Sequence, residues 1–301
     1  MANEFDVGGP NSISDIDQLF AETKINFISK FHFEIVRGCQ LRCVGCPNST
    51  LQPKVEKVTP DDFNRYLQNV DVQAVGYLRL FNFGEPLLHH NLAEILTQIP
   101  KQQWSAGAVE ISTNAQFCDW PSFEEAIKTR VLTQLVTSCD GNGTAEDYER
   151  LRPPSRWEKL VEFLEKAREL RDRYHPELSL ITRTICVDPE DKQRWIDVLG
   201  PRGWQPEFRG WQHLPQSEWN MVGLPPTVPE RICSFQKLPD RLYVDWDGTV
   251  VPCCVHPRAG IFGNLGEQTY NEIMVGQRRV EMLQELHSNR LGLPICNACE
   301  C

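Results

Sequence analysis

Residues 31–47 read FHFEIVRGCQLRCVGCP, and the cysteines at 39, 43 and 46 form a C-x3-C-x2-C loop directly after a strand-like run. Three thiols at that spacing must share one small region of space. A [4Fe–4S] cubane normally takes four thiolates, so a loop that offers three leaves one iron open to a ligand from outside the protein. A zinc site or three separate core thiols are the competing readings, and the rest of the chain has to decide between them.

The 301 residues suffice for one large domain or two, and 41% hydrophobic content is ample for a core. No apolar run approaches the roughly 20 residues of a spanning helix, and the N-terminus, MANEFDVGGPNSISDIDQ, is acidic without an apolar signal segment. A cytoplasmic protein with no membrane partner is the expectation. There the 12 cysteines, clustered as they are, read as metal ligands rather than disulfides. The formal net charge is −10, with no dense Lys/Arg patch to neutralise phosphates, which disfavours long nucleic acid. An acidic surface suits a cationic small molecule such as an amino sugar.

Strand-like runs alternate with helical patterns from residue 31 onward: 31–36 and 60–69, 77–83 and 90–99, 107–112 and 121–129, 131–138 and 156–174, 178–186 and 190–199. Strands separated by amphipathic helices imply βαβ units and a parallel sheet. The spacing predicts an α/β fold, a partial (β/α)6 TIM-type barrel, whose chemistry sits at the C-terminal ends of the strands. The domain reading is an N-terminal extension over 1–30, a barrel over 31–200, a connector over 201–229 and a small hairpin-and-helix domain over 230–301. The connector is rich in Pro, Gly and Trp and lacks either period. In it Trp204, Trp211 and Trp219, with Arg209, His213 and Glu218, either roof a polar site or pack on the barrel.

The cysteine loop, the strand before it and Pro47 after it resemble the radical S-adenosylmethionine (SAM) enzymes. In that family the open iron chelates the amino and carboxylate groups of SAM, and an electron from the cluster yields a 5′-deoxyadenosyl radical. The resemblance extends to the strand ends. Asn82-Phe83-Gly84-Glu85-Pro86 is similar to the Gly-Glu-Pro loop that receives the SAM ammonium, implying roles for Gly84, Glu85 and Pro86. Ser112-Thr113-Asn114 is similar to a Thr-Asn-Gly turn near SAM, with Ala115 in place of the glycine, and Thr137-Ser138-Cys139-Asp140-Gly141 to a strand end whose serine, here Ser138, contacts SAM. Gly45 stands where the family usually has an aromatic, and Cys139 reads as a small buried hydrophobe. Arg183 sits in the apolar run LSLITRTICV, where a charge needs a partner. The SAM carboxylate is the expected one, a structural salt bridge the alternative. His89 and His90 read as a solvated helix start rather than a metal site.

A second set, Cys233, Cys253, Cys296 and Cys299, brackets RLYVDWDGTVVPC, in which two apolar runs flank Asp247-Gly248 as in a hairpin. This arrangement resembles the SPASM and shorter twitch domains. The resemblance implies one auxiliary [4Fe–4S] cluster on those four cysteines, besides the SAM-binding [4Fe–4S] cluster on Cys39, Cys43 and Cys46. Cys254 either serves as a catalytic hydrogen-atom donor or is a bland neighbour of a ligand, and Cys301 is a frayed end or a substitute ligand. The phrases FNFGEPLL, CPNS and GTVVPC…GNLGEQ resemble family members that oxidise aminocyclitols or epimerise amino sugars. The expectation is hydrogen abstraction from a small polar substrate, with an external electron donor such as flavodoxin or ferredoxin. Epimerisation by thiol hydrogen return is favoured over two-electron dehydrogenation; ribosomal peptide or nucleoside modification is the other class.

Overall fold

The computed structural model describes residues 24–215, 219–222, 228, 233–236 and 239–301; Glu218 and most of the N-terminal extension lie outside them. In chain order the strands are β1 (Phe27–Phe33), β2 (Val36–Arg37), β3 (Glu56–Lys57), β4 (Ala74–Arg79), β5 (Ser105–Thr113), β6 (Gln134–Ser138), β7 (Ser179–Ile185), β8 (Gln205–Arg209), β9 (Arg241–Val244), β10 (Thr249–Val251) and β11 (Gly263–Asn264). The α-helices are α1 (Pro47–Leu51), α2 (Pro60–Gln68), α3 (Leu92–Gln98), α4 (Trp120–Lys128), α5 (Ala145–Leu151), α6 (Trp157–Tyr174), α7 (Pro189–Leu199), α8 (Tyr270–Met274) and α9 (Gln277–Ser288).

Nine strands form one sheet in the order β11-β10-β9-β1-β4-β5-β6-β7-β8, and β1 and β4 to β8 run parallel, as in a partial (β/α)6 barrel. The helices between them follow from local chemistry. In α2, Thr59 caps the N-terminus by accepting the Asp62 N–H, Pro60 opens the first turn, and Asp61 and Asp62 complement the positive end of the helix. Phe63, Tyr66 and Leu67 then fall on one face and are buried, with the Phe63 ring 4.9 Å from Phe33 of β1. Burying each such side chain stabilises the fold by about 1.5–3 kcal/mol. Helix α6 repeats the pattern with Leu160, Phe163, Leu164 and Ala167.

Three features differ from the sequence reading. The sixth parallel strand, β8, lies within residues 201–229 that read as connector, and it pairs with β7 from Ile181↔Gln205 to Ile185↔Arg209. Its sequence, QPEFR, has no apolar alternation because neither of its faces is deeply buried. β1 begins at Phe27, inside the stretch assigned to the N-terminal extension. The C-terminal hairpin does not stand apart, since β9 pairs in parallel with β1 from Lys30↔Arg241 to Phe33↔Val244 and extends the same sheet. Side chains fasten this extension: Asn69 Nδ2 donates to the Leu265 carbonyl and Asn271 Nδ2 to Asp71. No helix among the described residues is long and apolar enough to cross a membrane.

Candidate active site at the open end of the barrel

The loops at the C-terminal strand ends surround a cavity of 470 Å³. Cys39, Cys43 and Cys46 line it together with Gly84, Glu85, Asn114, Ser138 and Arg183, so residues spread over 145 positions meet in one place. Pro86 is buried behind this wall at the start of a short 3-10 turn.

The cysteine loop is held by its neighbours. Val44 N–H donates to the Leu151 carbonyl at 2.8 Å and Arg42 N–H to Pro153 at 2.6 Å, while the Arg42 guanidinium donates to the carbonyls of Cys39 and Leu41. Asn114 Nδ2 approaches Cys39 Sγ at 3.3 Å. Burial pushes the Cys39 thiol up to about 12, and the Cys43 and Cys46 thiols in the same direction, so their thiolates need a cationic guest. Among the described residues no three His, Cys, Asp or Glu side chains converge as ligands of a single ion. Three thiols that line one cavity of 470 Å³ suit a cluster that offers a separate iron to each of them.

The loop after β4 is stitched in from both sides. Glu34 Oε1 accepts the N–H groups of Phe83 at 2.9 Å and Gly84 at 2.7 Å, and Glu85 N–H donates to the Gly38 carbonyl at 3.0 Å. Position 84 must be glycine, because a Cβ there would lie 1.6 Å from the Val36 carbonyl oxygen. The Glu85 carboxylate is buried. It accepts from Leu87 N–H, from Thr113 Oγ1 at 2.7 Å and from Asn114 N–H at 2.7 Å. Burial raises its pKa. It braces the loops rather than presenting a free charge. Ala115 takes the left-handed conformation, φ 60°, that a glycine would adopt at less cost.

Arg183 is ion-paired in this structure, to Glu110 at 2.6 Å and Glu207 at 3.2 Å, so the salt-bridge alternative describes it here. Gly45, where an aromatic was expected, has φ 75° and would place a Cβ 2.8 Å from Met221 and 3.5 Å from Trp211. Trp211 and Trp219 line the cavity beside it, whereas Trp204 is a core residue donating to the Leu164 carbonyl. His213 pairs with Glu300 and Arg209 with Glu207. His89 is buried with Nε2 against the Val58 carbonyl at 2.8 Å and Nδ1 accepting Asn91 N–H, so it is a packed core group and not a solvated helix start. Cys139 is wholly buried in the core, as expected. Four residues that build the walls of the site were missed: Glu34, Arg79, Glu110 and Arg152. Arg79 and Glu110 are each the lone charge of an apolar strand, the same signal that drew attention to Arg183, and Glu34 directly follows the end of β1.

The second set also assembles. Cys233, Cys253, Cys296 and Cys299 line a small cavity with Phe235 and Leu286. Arg290 grips the segment that carries the last two, donating to the carbonyls of Cys296 at 3.2 Å, Cys299 at 2.8 Å and Cys301 at 2.6 Å. The free Cys301 and Cys299 thiols share a hydrogen bond. Cys254 is not part of this lining. Its thiol meets the Tyr243 hydroxyl, and the Tyr243 ring lies 5.1 Å from His32 in the barrel.

Residues 33–199 match the family model described as the radical SAM superfamily. The chain belongs to the radical SAM superfamily. Residues 233–300 match the SPASM model, an iron-sulfur cluster-binding domain. No curated protein matches the chain. Among solved structures, "Native anSMEcpe with bound AdoMet" is similar with a TM-score of 0.55 and 14% identity, over 90% of this chain and 89% of that one. The same protein "with bound AdoMet and Cp18Cys peptide" gives 0.55 and 14% over 90% and 87%. At that identity the likeness shows the fold. The radical SAM protein uses a [4Fe–4S] cluster with SAM, and its SPASM region carries auxiliary iron–sulfur.

Proposed function

We propose that the protein moves a hydrogen atom at an unactivated C–H of a small polar substrate and returns hydrogen from the Cys254 thiol, so that the carbon is inverted. The observation that carries this is the divergence of two adjacent cysteines. Cys253 faces the auxiliary cavity, whereas Cys254 turns to Tyr243 on the barrel side.

Cys39, Cys43 and Cys46 hold the cluster, and Gly84, Glu85, Pro86, Asn114 and Ser138 shape the seat for SAM, with Arg183 at its edge. When bound, the cluster and SAM supply a 5′-deoxyadenosyl radical that takes a hydrogen atom from the substrate. Trp211 and Trp219 cover the seat and exclude water. The Cys254 thiol gives its hydrogen to the substrate radical from the opposite face and becomes a thiyl. One electron from an external donor such as flavodoxin or ferredoxin and one proton restore it; Cys233, Cys253, Cys296 and Cys299 would hold the auxiliary cluster, which would supply a route for that electron. The FNFGEPLL, CPNS and GTVVPC phrases resemble deoxy-scyllo-inosamine dehydrogenase and neomycin C epimerase, which puts hydroxylated rings first among substrates.

The closeness of Cys254 to the auxiliary cysteines supports a second reading, in which that site takes an electron from the substrate radical and the product is a ketone. One experiment separates them. In heavy water the epimerase reading gives one deuterium at the inverted carbon, and Cys254→Ala consumes SAM without forming the epimer. Product free of solvent deuterium and undiminished in Cys254→Ala selects oxidation. A deuterated peptide or nucleoside would move the substrate class and keep the thiol step.

A further inference from the structure

The net charge of −10 does not extend into the barrel. Arg79, Arg183 and Arg209 all line the 470 Å³ cavity, and they share two carboxylates. Glu110 is wholly buried, 2.6 Å from Arg183 and 3.5 Å from Arg79; Glu207 takes Arg183 at 3.2 Å and Arg209 at 2.9 Å. The other acids of the wall are committed, Asp140 to Arg152 and Glu85 to N–H and hydroxyl donors. Behind the wall, Lys30 and Arg241 add positive charge around Cys254, against Asp240.

Arg79 is the least satisfied of these cations. Its Nε is buried without a hydrogen-bond partner, its side chain is 20% exposed, and among the described residues it donates no hydrogen bond. A guanidinium carries five N–H donors, and leaving such donors unpaired in a low-dielectric wall is costly. Arg152 in the same wall also has an orphaned Nε, but it donates to Asp140, whereas Arg79 has no such donor contact among the described residues. Cross-strand register sets His32, Arg79 and Glu110 side by side on β1, β4 and β5. His32 Nδ1 is also buried without a hydrogen-bond partner, and Glu110 Oε2 has only its 3.5 Å ion pair with Arg79 Nε. Three neighbouring residues thus hold unspent polar capacity where the wall meets Cys254, whose electrostatic neighbours include Arg79.

We propose that Arg79 receives an oxyanion of the substrate, a carboxylate or a phosphate group, with Glu110 as the positioning residue that aims the guanidinium into the cavity. The inference rests on the radical reading of the site and names its substrate class. A hydroxylated acid fits better than the cationic amino sugar that overall charge suggests. A guanidinium and an oxyanion form paired, charge-assisted hydrogen bonds with defined geometry, which would fix the reacting carbon between the SAM seat and Cys254.

The test is calorimetric titration of the reconstituted, SAM-loaded holoenzyme with succinate, inorganic phosphate and glucosamine. SAM is already seated, so its own carboxylate does not compete. One of the two oxyanions should bind and reveal its source, glucosamine should not, and Arg79→Gln should weaken that binding about tenfold or more, with partial recovery in Arg79→Lys. Binding of glucosamine alone, binding of neither anion, or equal anion affinity in Arg79→Gln overturns the proposal. So does loss of SAM affinity in Arg79→Gln, which would give the anion site to SAM. Wild-type holoenzyme that forms no 5′-deoxyadenosine would sink the radical reading; one that forms it but ignores both anions sinks only the oxyanion site.

Discussion

The Glu85 carboxylate accepts the backbone N–H of Asn114 at 2.7 Å, which joins the loop after β4 to the turn after β5 in a single unit. The same carboxylate holds Thr113 and Leu87. A glutamine has one acceptor oxygen and would set an NH2 against an N–H or hydroxyl donor. Hydrogen bonds to a charged group contribute about 1.5–3 kcal/mol each. Glu85→Gln should therefore weaken SAM binding about tenfold or more while iron content stays at the wild-type level. Equilibrium SAM binding on the reconstituted variant checks it, and wild-type affinity would show that this brace does not support the SAM seat.

Glu34 gives the fold a pH dependence. Burial raises its pKa from 4.5 to about 7, and burial raises the nearby Asp245 from 3.8 to about 6. Between the unfolded and folded values the native state holds protons that the unfolded chain has released, so stability falls as pH rises from about 4.5 to about 7. Both N–H groups that Glu34 accepts go to the same oxygen, Oε1, and Gln can accept both without the charge. Glu34→Gln should raise the melting temperature at pH 8 and flatten its decline with pH. A variant less stable than wild type at pH 8 would mean that the fold favours the ionised carboxylate and that burial does not raise the Glu34 pKa.

How much of this was legible in the sequence follows from what kind of signal each residue gives. Cys39, Cys43 and Cys46 show a spacing, Gly84-Glu85-Pro86 a tripeptide, and the helices a period, so their positions could be read directly. β8 gave no signal because one face of QPEFR is exposed and the other only half-buried, and its pairing with β7 is set by tertiary contacts. The partner of Arg183 could not be read, since Glu110 lies 73 positions away and meets it only when β5 and β7 curve around the same lumen. The opposite orientations of Cys253 and Cys254 depend on how the hairpin docks beside β1, which no local pattern encodes.

Arg183 and Glu110 form a pair whose removal one side at a time should be costly. Glu110 is wholly buried, and its second guanidinium, Arg79, is 3.5 Å away. Arg183→Met leaves that carboxylate undercompensated, a loss on the order of 3 kcal/mol. The double variant Arg183→Met, Glu110→Gln should recover most of it, as thermal unfolding of the apoprotein would show. If instead the single variant melts like wild type and loses SAM affinity, the guanidinium serves SAM and the pairing with Glu110 is incidental.

The two cysteine sets should load iron independently, because different elements hold them. The barrel set is fixed by contacts to Leu151, Pro153 and Asn114. The C-terminal set depends on Arg290, a buried side chain whose donors reach Cys296, Cys299 and Cys301. Two cubanes carry four irons each, about eight per chain. Changing Cys39, Cys43 and Cys46 together to Ala should leave about four irons and no SAM cleavage. Arg290→Gln frees three backbone carbonyls at once and should lose the other four, while the SAM-responsive signal of the barrel cluster persists in electron paramagnetic resonance. Arg290→Lys reaches at most one carbonyl with good geometry and keeps the charge, so it should load poorly too if the clamp matters and normally if only the charge does. Eight irons in Arg290→Gln would show that the cysteine segment holds its cluster without the guanidinium.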